Sequence, residues 1–129
     1  MAYVDIVTVL AVLQFIAFGF QVGRARGKYG VKTPATTGNE LFERFFRIQQ
    51  NTLELLVCFI PGIYLFSRYF NPLWAAALGV IYLAGRQVYA AAYAKAPAKR
   101  SLGYGLSFLP VAILLIGGLI GAVWYLVHG

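Results

Sequence analysis

Residues 102–127 read LGYGLSFLPVAILLIGGLIGAVWYLV, and this stretch contains no charged side chain. A helix needs about 20 predominantly apolar residues to cross the hydrocarbon core of a bilayer. Three further apolar runs precede it, at Ile6–Val22, Phe45–Phe66 and Leu73–Ala94. The runs are continuous, whereas the strands of a membrane β-barrel alternate over segments of about ten residues. The sequence therefore predicts four membrane-spanning helices.

The composition excludes the other classes of small protein. The chain has 129 residues, of which 60% are hydrophobic and 12% are charged, whereas an ordinary soluble domain carries about a quarter charged residues. A chain this short cannot bury so much apolar surface in one core, and disorder requires few apolar residues. The single cysteine, Cys58, excludes a disulfide framework, and we expect it to be a buried apolar residue. We predict one all-α domain over residues 1–129, an integral membrane four-helix bundle.

The basic residues are unevenly distributed along the chain. Nine of the eleven lie in or near the first and third connections, which the positive-inside rule assigns to the cytoplasmic side, with both termini on the opposite side. No basic residue precedes the first run, so we expect a spanning helix there and not a removable signal peptide. The net charge of +7 is explained by this topology and by anionic membrane lipids. We expect no nucleic-acid partner, because no soluble basic domain exists to bind one.

The connections carry turn-forming residues. The first is predicted to extend from Gly23 to about Leu41, with Asn39 beginning the second helix. The dipeptide Asn71-Pro72 predicts a tight second connection. In the third, Pro97 is predicted to interrupt helix 3 and Ser101 to cap helix 4.

Two of the predicted helices carry a polar stripe. At about 100° per residue, Arg47, Asn51 and Glu54 fall within about 60° of one another on helix 2. Helix 3 shows the same clustering for Tyr82, Arg86, Tyr89 and Tyr93. Charged residues within a membrane segment normally face a bundle interior or a cavity.

These stripes have two interpretations. In the first, Glu54 pairs with Arg47 or Arg86 and the charges only hold the helices together. In the second, the excess of arginine over the one carboxylate forms a pocket for a polar anionic ligand, because arginine binds carboxylates bidentately and a lone acid holds an ammonium group. We favour the second, because pairing with Glu54 leaves Arg47, Arg86 or Arg100 without a partner.

The segment Glu43–Glu54, ERFFRIQQNTLE, and the pattern Arg86-x-x-Tyr89-x-x-x-Tyr93 form a specific combination. With Thr36-Thr37-Gly38 and Arg100, they resemble the MAPEG family, the membrane-associated proteins of eicosanoid and glutathione metabolism. The likeness is to the branch of the leukotriene synthase and the microsomal glutathione transferases, and it extends from about Arg24 through Arg100.

This resemblance implies a homotrimer with three glutathione sites at subunit interfaces near the cytoplasmic side. It implies that Arg100 activates the thiol and that Ser101, similar to a serine of the prostaglandin E synthase branch, lies near the sulfur. A helix-capping role for Ser101 is an equal alternative. The implied glutathione contacts are Arg26, Arg47, Gln49, Asn51, Glu54, Arg86, Tyr89 and Tyr93.

The predicted function is conjugation of glutathione, as co-substrate, to hydrophobic electrophiles or lipids from the bilayer, with peroxidase activity on lipid hydroperoxides as a variant. Leu55 and Gly27 replace a tyrosine and an arginine of the leukotriene synthase, which argues against the same lipid substrate. The alternatives are a non-enzymatic lipid-binding member of the family and a small four-helix transporter. No metal is expected, because His128 has no second histidine or cysteine at ligand spacing.

Overall fold

A computed structural model describes all residues 1–129 as four long helices. These are α1 (Ala2–Tyr29), α2 (Glu40–Tyr69), α3 (Pro72–Lys95) and α4 (Ser101–His128), with one 3₁₀ turn at Pro97–Lys99. Each long helix has the length and apolar composition needed to cross a membrane, so the predicted four-helix bundle is confirmed. The chain is an integral multi-pass membrane protein.

The first connection is shorter than predicted. Helix α1 continues through Gly23 to Tyr29, and Gly30, in the left-handed conformation with φ 69°, ends it. Arginine and lysine favour helix, so the basic stretch after Gly23 extends α1. A glycine in the left-handed region is a common helix terminator because it lacks a Cβ. Residues 30–39 form the connection.

The caps at the second and third helices are confirmed. The side chain of Asn39 accepts a hydrogen bond from the backbone N–H of Phe42 at 3.0 Å. Asn71 accepts one from the N–H of Leu73 at 2.9 Å, with Pro72 at the first helical position. The prediction that Ser101 caps α4 is wrong. The 3₁₀ turn leads directly into α4, so Arg100 occupies the cap position with backbone angles that are already helical and without a side-chain cap.

The core lies where the four helices meet. Phe59 of α2 stacks on Tyr82 of α3 with ring centroids 4.1 Å apart, and Ile63 and Leu114 are fully buried beside them. Large apolar side chains cover the outer surface of all four helices, as a bilayer environment requires. Cys58 is exposed, so its expected burial is wrong. It lies seven residues after Asn51, on the polar side of α2, and not on the side that contacts the core.

Two glycines allow α3 and α4 to approach closely. A Cβ at Gly103 would meet the backbone of Tyr89, and one at Gly85 would lie 2.6 Å from the backbone nitrogen of Ser107. Any larger residue would force the two helices apart. This close approach brings the start of α4 against the tyrosines of α3.

Candidate functional site

An open cleft of about 710 Å³ lies at the end of the bundle where α3 ends and α4 begins. Helix α2 supplies one wall, α3 the second, and the first turn of α4 the third. Six of the seven lining residues are among the site residues predicted from the sequence. The lining residues are Arg47, Asn51, Tyr89, Tyr93, Arg100, Ser101 and Tyr104.

Arg86 lies beneath the cleft and is fully buried. Its guanidinium group donates to Asn51 Oδ1 at 2.7 Å, to Thr52 Oγ1 at 3.2 Å and to Ser107 Oγ at 2.8 Å. One side chain of α3 therefore ties α2 to α4. No carboxylate neutralises this cation, since the only salt bridge joins Arg44 to Glu40.

The acceptors around Arg86 are themselves held in place. The hydroxyl of Thr52 donates to the carbonyl of Ile48 at 2.8 Å, and that of Ser107 donates to the carbonyl of Gly103 at 2.9 Å. Each hydroxyl thus has its oxygen free to accept from Arg86. The oxygen of Asn51 is also engaged by Arg86, so the amide N–H groups of Asn51 are the donors left for the cleft.

Aromatic rings form one side of the cleft. Tyr89 stacks with Tyr93 at 5.5 Å between centroids and contacts the ring of Tyr104 at 6.4 Å. The guanidinium carbon of Arg86 lies 4.4 Å from the centroid of Tyr89, within the range of a cation–π interaction. Arg86 therefore orients Tyr89 as well as Asn51.

Arg100 lies at the mouth of the cleft and is exposed. Its guanidinium donates to the carbonyl of Pro97 at 3.1 Å, so the 3₁₀ turn holds the charged end of the side chain. Neither Arg100 nor Arg47 forms an ion pair. The interpretation in which Glu54 pairs with Arg47 or Arg86 is therefore wrong, and the cleft presents two unneutralised cations beside phenol and amide donors.

Besides Arg86, which lies beneath the cleft, three predicted site residues do not line it. Glu54 is exposed on α2, one turn beyond Asn51. Arg26 donates to the carbonyl of Ala35 at 2.7 Å and lies over the ring of Phe42 at 4.8 Å, so it holds the first connection against α2. Gln49 lies against Gly19 of α1, where a Cβ would be 2.8 Å from its amide nitrogen.

Gln49 and Arg47 point to different sides of α2. At about 100° per residue they are about 160° apart around the helix axis. Arg26 and Gly19 share a face of α1, about 20° apart by the same measure. Within one chain, Arg26 and Gln49 thus lie on one side of α2 and the cleft lies on the other.

Sequence reasoning missed Thr52, Ser107 and Tyr104. Thr52 and Ser107 resemble ordinary small polar residues of a membrane helix, and nothing in their spacing links them to Arg86. The position of Tyr104 could have been found from its spacing. It lies four residues after Arg100, whose backbone is already helical, so both side chains fall on the same side of the start of α4. Among all residues, no cluster of three or more histidine, cysteine, aspartate or glutamate side chains is arranged to hold a metal ion.

Comparison with known proteins gives consistent matches over most of the chain. The model of the MAPEG family matches residues 4–120. Microsomal glutathione S-transferase 2 of Homo sapiens is 42% identical over 115 residues, 89% of this chain and 78% of that protein. An uncharacterized protein of Synechocystis sp. is 48% identical over 121 residues, 94% of this chain and 88% of that protein. Leukotriene C4 synthase of Cavia porcellus is 39% identical over 89 residues, 69% of this chain and 59% of that protein.

Proposed function

The chain belongs to the MAPEG family, and on this premise we propose that it is a membrane-embedded glutathione transferase. It joins the sulfur of glutathione to hydrophobic electrophiles that arrive from the bilayer. The names of two relatives, microsomal glutathione S-transferase 2 and leukotriene C4 synthase, support this class of reaction. The observation that carries the proposal is the cleft with two arginines, Arg47 and Arg100, that no acid neutralises.

The donors of the cleft suit the chemistry of glutathione, which has two carboxylates, one ammonium group and one thiol. Arg47 and the amide N–H groups of Asn51 bind a carboxylate, since charge-assisted hydrogen bonds to carboxylates are the strong ones. Glu54, one turn further along α2, is the acid that an ammonium group requires. The hydroxyl groups of Tyr89 and Tyr93 supply further donors.

Reaction requires the thiolate, because the thiol itself is a weak nucleophile. In this mechanism the thiol proton goes to water, and the cation of Arg100 stabilises the sulfur anion. The thiolate then forms a bond to an electrophilic carbon, and the leaving group departs with the bonding electrons. With a lipid hydroperoxide, the same thiolate attacks the terminal oxygen and breaks the O–O bond, and the alkoxide takes a proton from water and leaves as the alcohol. The sulfenic acid of glutathione that results then condenses with a second glutathione to give glutathione disulfide and water. Ser101, which lines the cleft at the start of α4, is the residue to which we assign donation of a hydrogen bond to the sulfur.

The proposal includes a homotrimer in which each site lies between two subunits. Arg26 and Gln49 lie on the side of α2 opposite the cleft, so in one chain they cannot reach the ligand that Arg47 binds. Two different surfaces that meet head to tail close into a ring when the rotation permits. In such a ring, Arg26 and Gln49 of one subunit would complete the cleft of the next.

The orientation in the membrane is part of the same proposal. Nine basic residues lie at or near the end of the bundle that holds the cleft. By the positive-inside rule this end faces the cytoplasm, with both termini on the other side. A cytoplasmic cleft has access to soluble glutathione, while the apolar faces of the helices admit the second substrate.

Saturable binding of glutathione is the first test. We expect the purified protein to bind glutathione in calorimetric titration. We expect Arg47→Ala to weaken this binding by about 10- to 100-fold, because the loss of a hydrogen bond to a charged group has an effect of this size. Arg68→Ala removes the same charge near the opposite end of α2 and serves as the matched control. If the wild-type protein shows no saturable binding, the transferase proposal fails and a lipid-binding or transport function gains support.

A mixture of two defective variants tests the shared site, at a glutathione concentration too low for either variant alone to show activity. Arg47→Ala removes a cleft residue, and the double variant Arg26→Ala/Gln49→Ala removes the opposite side. If sites lie between subunits, coexpression regenerates intact interfaces at about a quarter of positions in a randomly mixed ring, and activity returns to that fraction. If the site is complete within one subunit, every chain carries a defect and the mixture stays inactive.

A further inference from the structure

A groove runs along α1 on the outer surface of the bundle, against α2 near the first connection and against α3 beyond it. It consists of three adjoining pockets of about 310, 230 and 550 Å³. Gln21 and Phe45 line both of the first two pockets, and Gln87 lines both of the last two. The three pockets thus adjoin one another along α1. Where the last two meet, the amide of Gln14 crosses to α3 and donates to Gln87 Oε1 and to the carbonyl of Leu83, each at 3.0 Å, so a ligand in the groove passes over this bridge.

The chemistry of the groove changes along its length. Arg24 and Lys28 line the end near the first connection. In the middle the small side chains of Ala91 and Ala94 leave room between the helices. The far end is apolar, with Leu10 and Val80 on its two sides.

The cationic end is not neutralised within the chain. Neither Arg24 nor Lys28 forms an ion pair. The only close partner of Lys28 is the ring of Tyr29, 5.4 Å from its nitrogen. Two adjacent cations at the membrane surface attract an anion, and the apolar continuation of the groove indicates that this anion carries a hydrocarbon chain.

The dimensions fit a single lipid. From Leu10 to Lys28 the groove extends about 27 Å at the rise of an α-helix. Half of the hydrocarbon core of a bilayer is about 15 Å, and the headgroup layer adds several ångströms on each side. A phosphate at Lys28 therefore leaves room for an acyl chain reaching towards Leu10.

We propose that this groove along α1 is a binding site for one anionic phospholipid, with its phosphate on Arg24 and Lys28 and an acyl chain lying along α1 and α3. The groove is separate from the cleft and takes no part in the proposed catalysis. It lies about 170° around α1 from the face of Arg26 and Gly19, so occupancy by lipid is compatible with the proposed subunit contact.

Lipid retention measured by native mass spectrometry tests this site. The protein is released from micelles that contain phosphatidylglycerol and phosphatidylcholine with the same acyl chains. One basic residue near the surface contributes about a fivefold preference for anionic lipid. We expect the wild type to retain phosphatidylglycerol preferentially, and Arg24→Ala/Lys28→Ala to reduce the preference by about 30-fold. Each single variant should lose about fivefold.

Two further variants separate a built site from general attraction. The variant Lys32→Ala/Lys99→Ala has the same net charge as the first double variant. The two lysines that it replaces are exposed and lie outside the groove, so this variant should keep the preference for phosphatidylglycerol. Ala91→Trp fills the middle of the groove and should lower retention of both lipids. The proposal is overturned if the two double variants lose the preference equally, or if Ala91→Trp retains lipid as the wild type does. It is also overturned if glycerol 3-phosphate displaces the lipid, because the site would then bind a soluble anion.

Discussion

Replacing Arg100 by leucine is expected to lower turnover by about 100- to 1000-fold while glutathione still binds. A loss of this size is the usual effect of removing one group that stabilises a developing anion. A free thiol has a pKa of about 8.5, and a nearby cation lowers such a pKa by about 1 to 3 units. A guanidinium group does not act as a base at physiological pH, so arginine does not take the thiol proton. In the proposed mechanism the contribution of Arg100 is therefore electrostatic. Binding persists because Arg47, Asn51 and the tyrosines remain in the cleft.

The thiolate absorbs in the ultraviolet, which gives a readout independent of product formation. We expect the absorbance of bound thiolate to disappear in Arg100→Leu and to survive in part in Arg100→Lys, because lysine retains the charge without the planar geometry of the guanidinium. A different result would assign Arg100 another role. If Arg100→Leu keeps both wild-type turnover and its thiolate absorbance, Arg100 is only an anchor for the start of α4.

Replacing Arg86 by alanine is expected to lower the free energy of unfolding by about 3 to 5 kcal/mol, the range for large cavities and broken buried polar networks. Arg86 is fully buried and donates to Asn51, Thr52 and Ser107 on two other helices. Alanine removes all three hydrogen bonds and leaves a cavity between α2, α3 and α4. Reversible denaturation in mixed micelles measures the loss.

Arg86→Met separates stability from function. Methionine loses the same hydrogen bonds but fills most of the volume, so it avoids the cavity that alanine leaves and should cost less stability. Asn51 nevertheless loses the donor that fixes its oxygen, so we expect glutathione affinity to fall although the fold is kept. If Arg86→Ala is as stable as the wild type, the hydrogen bonds of Arg86 to Asn51, Thr52 and Ser107 do not stabilise the fold. Unchanged affinity in Arg86→Met would show that Arg86 has no part in orienting Asn51.

The helices and their polar faces were accessible from the sequence. Continuous apolar runs require helices in a bilayer, because each backbone N–H and C=O must be paired within the segment. Helical periodicity put Arg47 with Asn51 and Tyr89 with Tyr93, and the cleft contains all four. The Asn39 and Asn71 caps followed from the same local chemistry. The end of α1 did not, because Gly23, Gly27 and Gly30 each offer a possible helix end and only Gly30 adopts the left-handed conformation.

Only the tertiary structure shows which residues of the other helices contact the polar face of each helix. Periodicity assigned Arg86 to the tyrosine stripe, but its burial depends on Thr52 and Ser107, which belong to other helices. The position of Ser107 in turn depends on the close approach of α3 and α4 that Gly85 and Gly103 permit. A helix determines which of its residues share a face because hydrogen bonds along its backbone fix the rotation per residue. The packing of one helix on another depends on the volumes of side chains from both helices, so it cannot be predicted from the sequence of either helix alone.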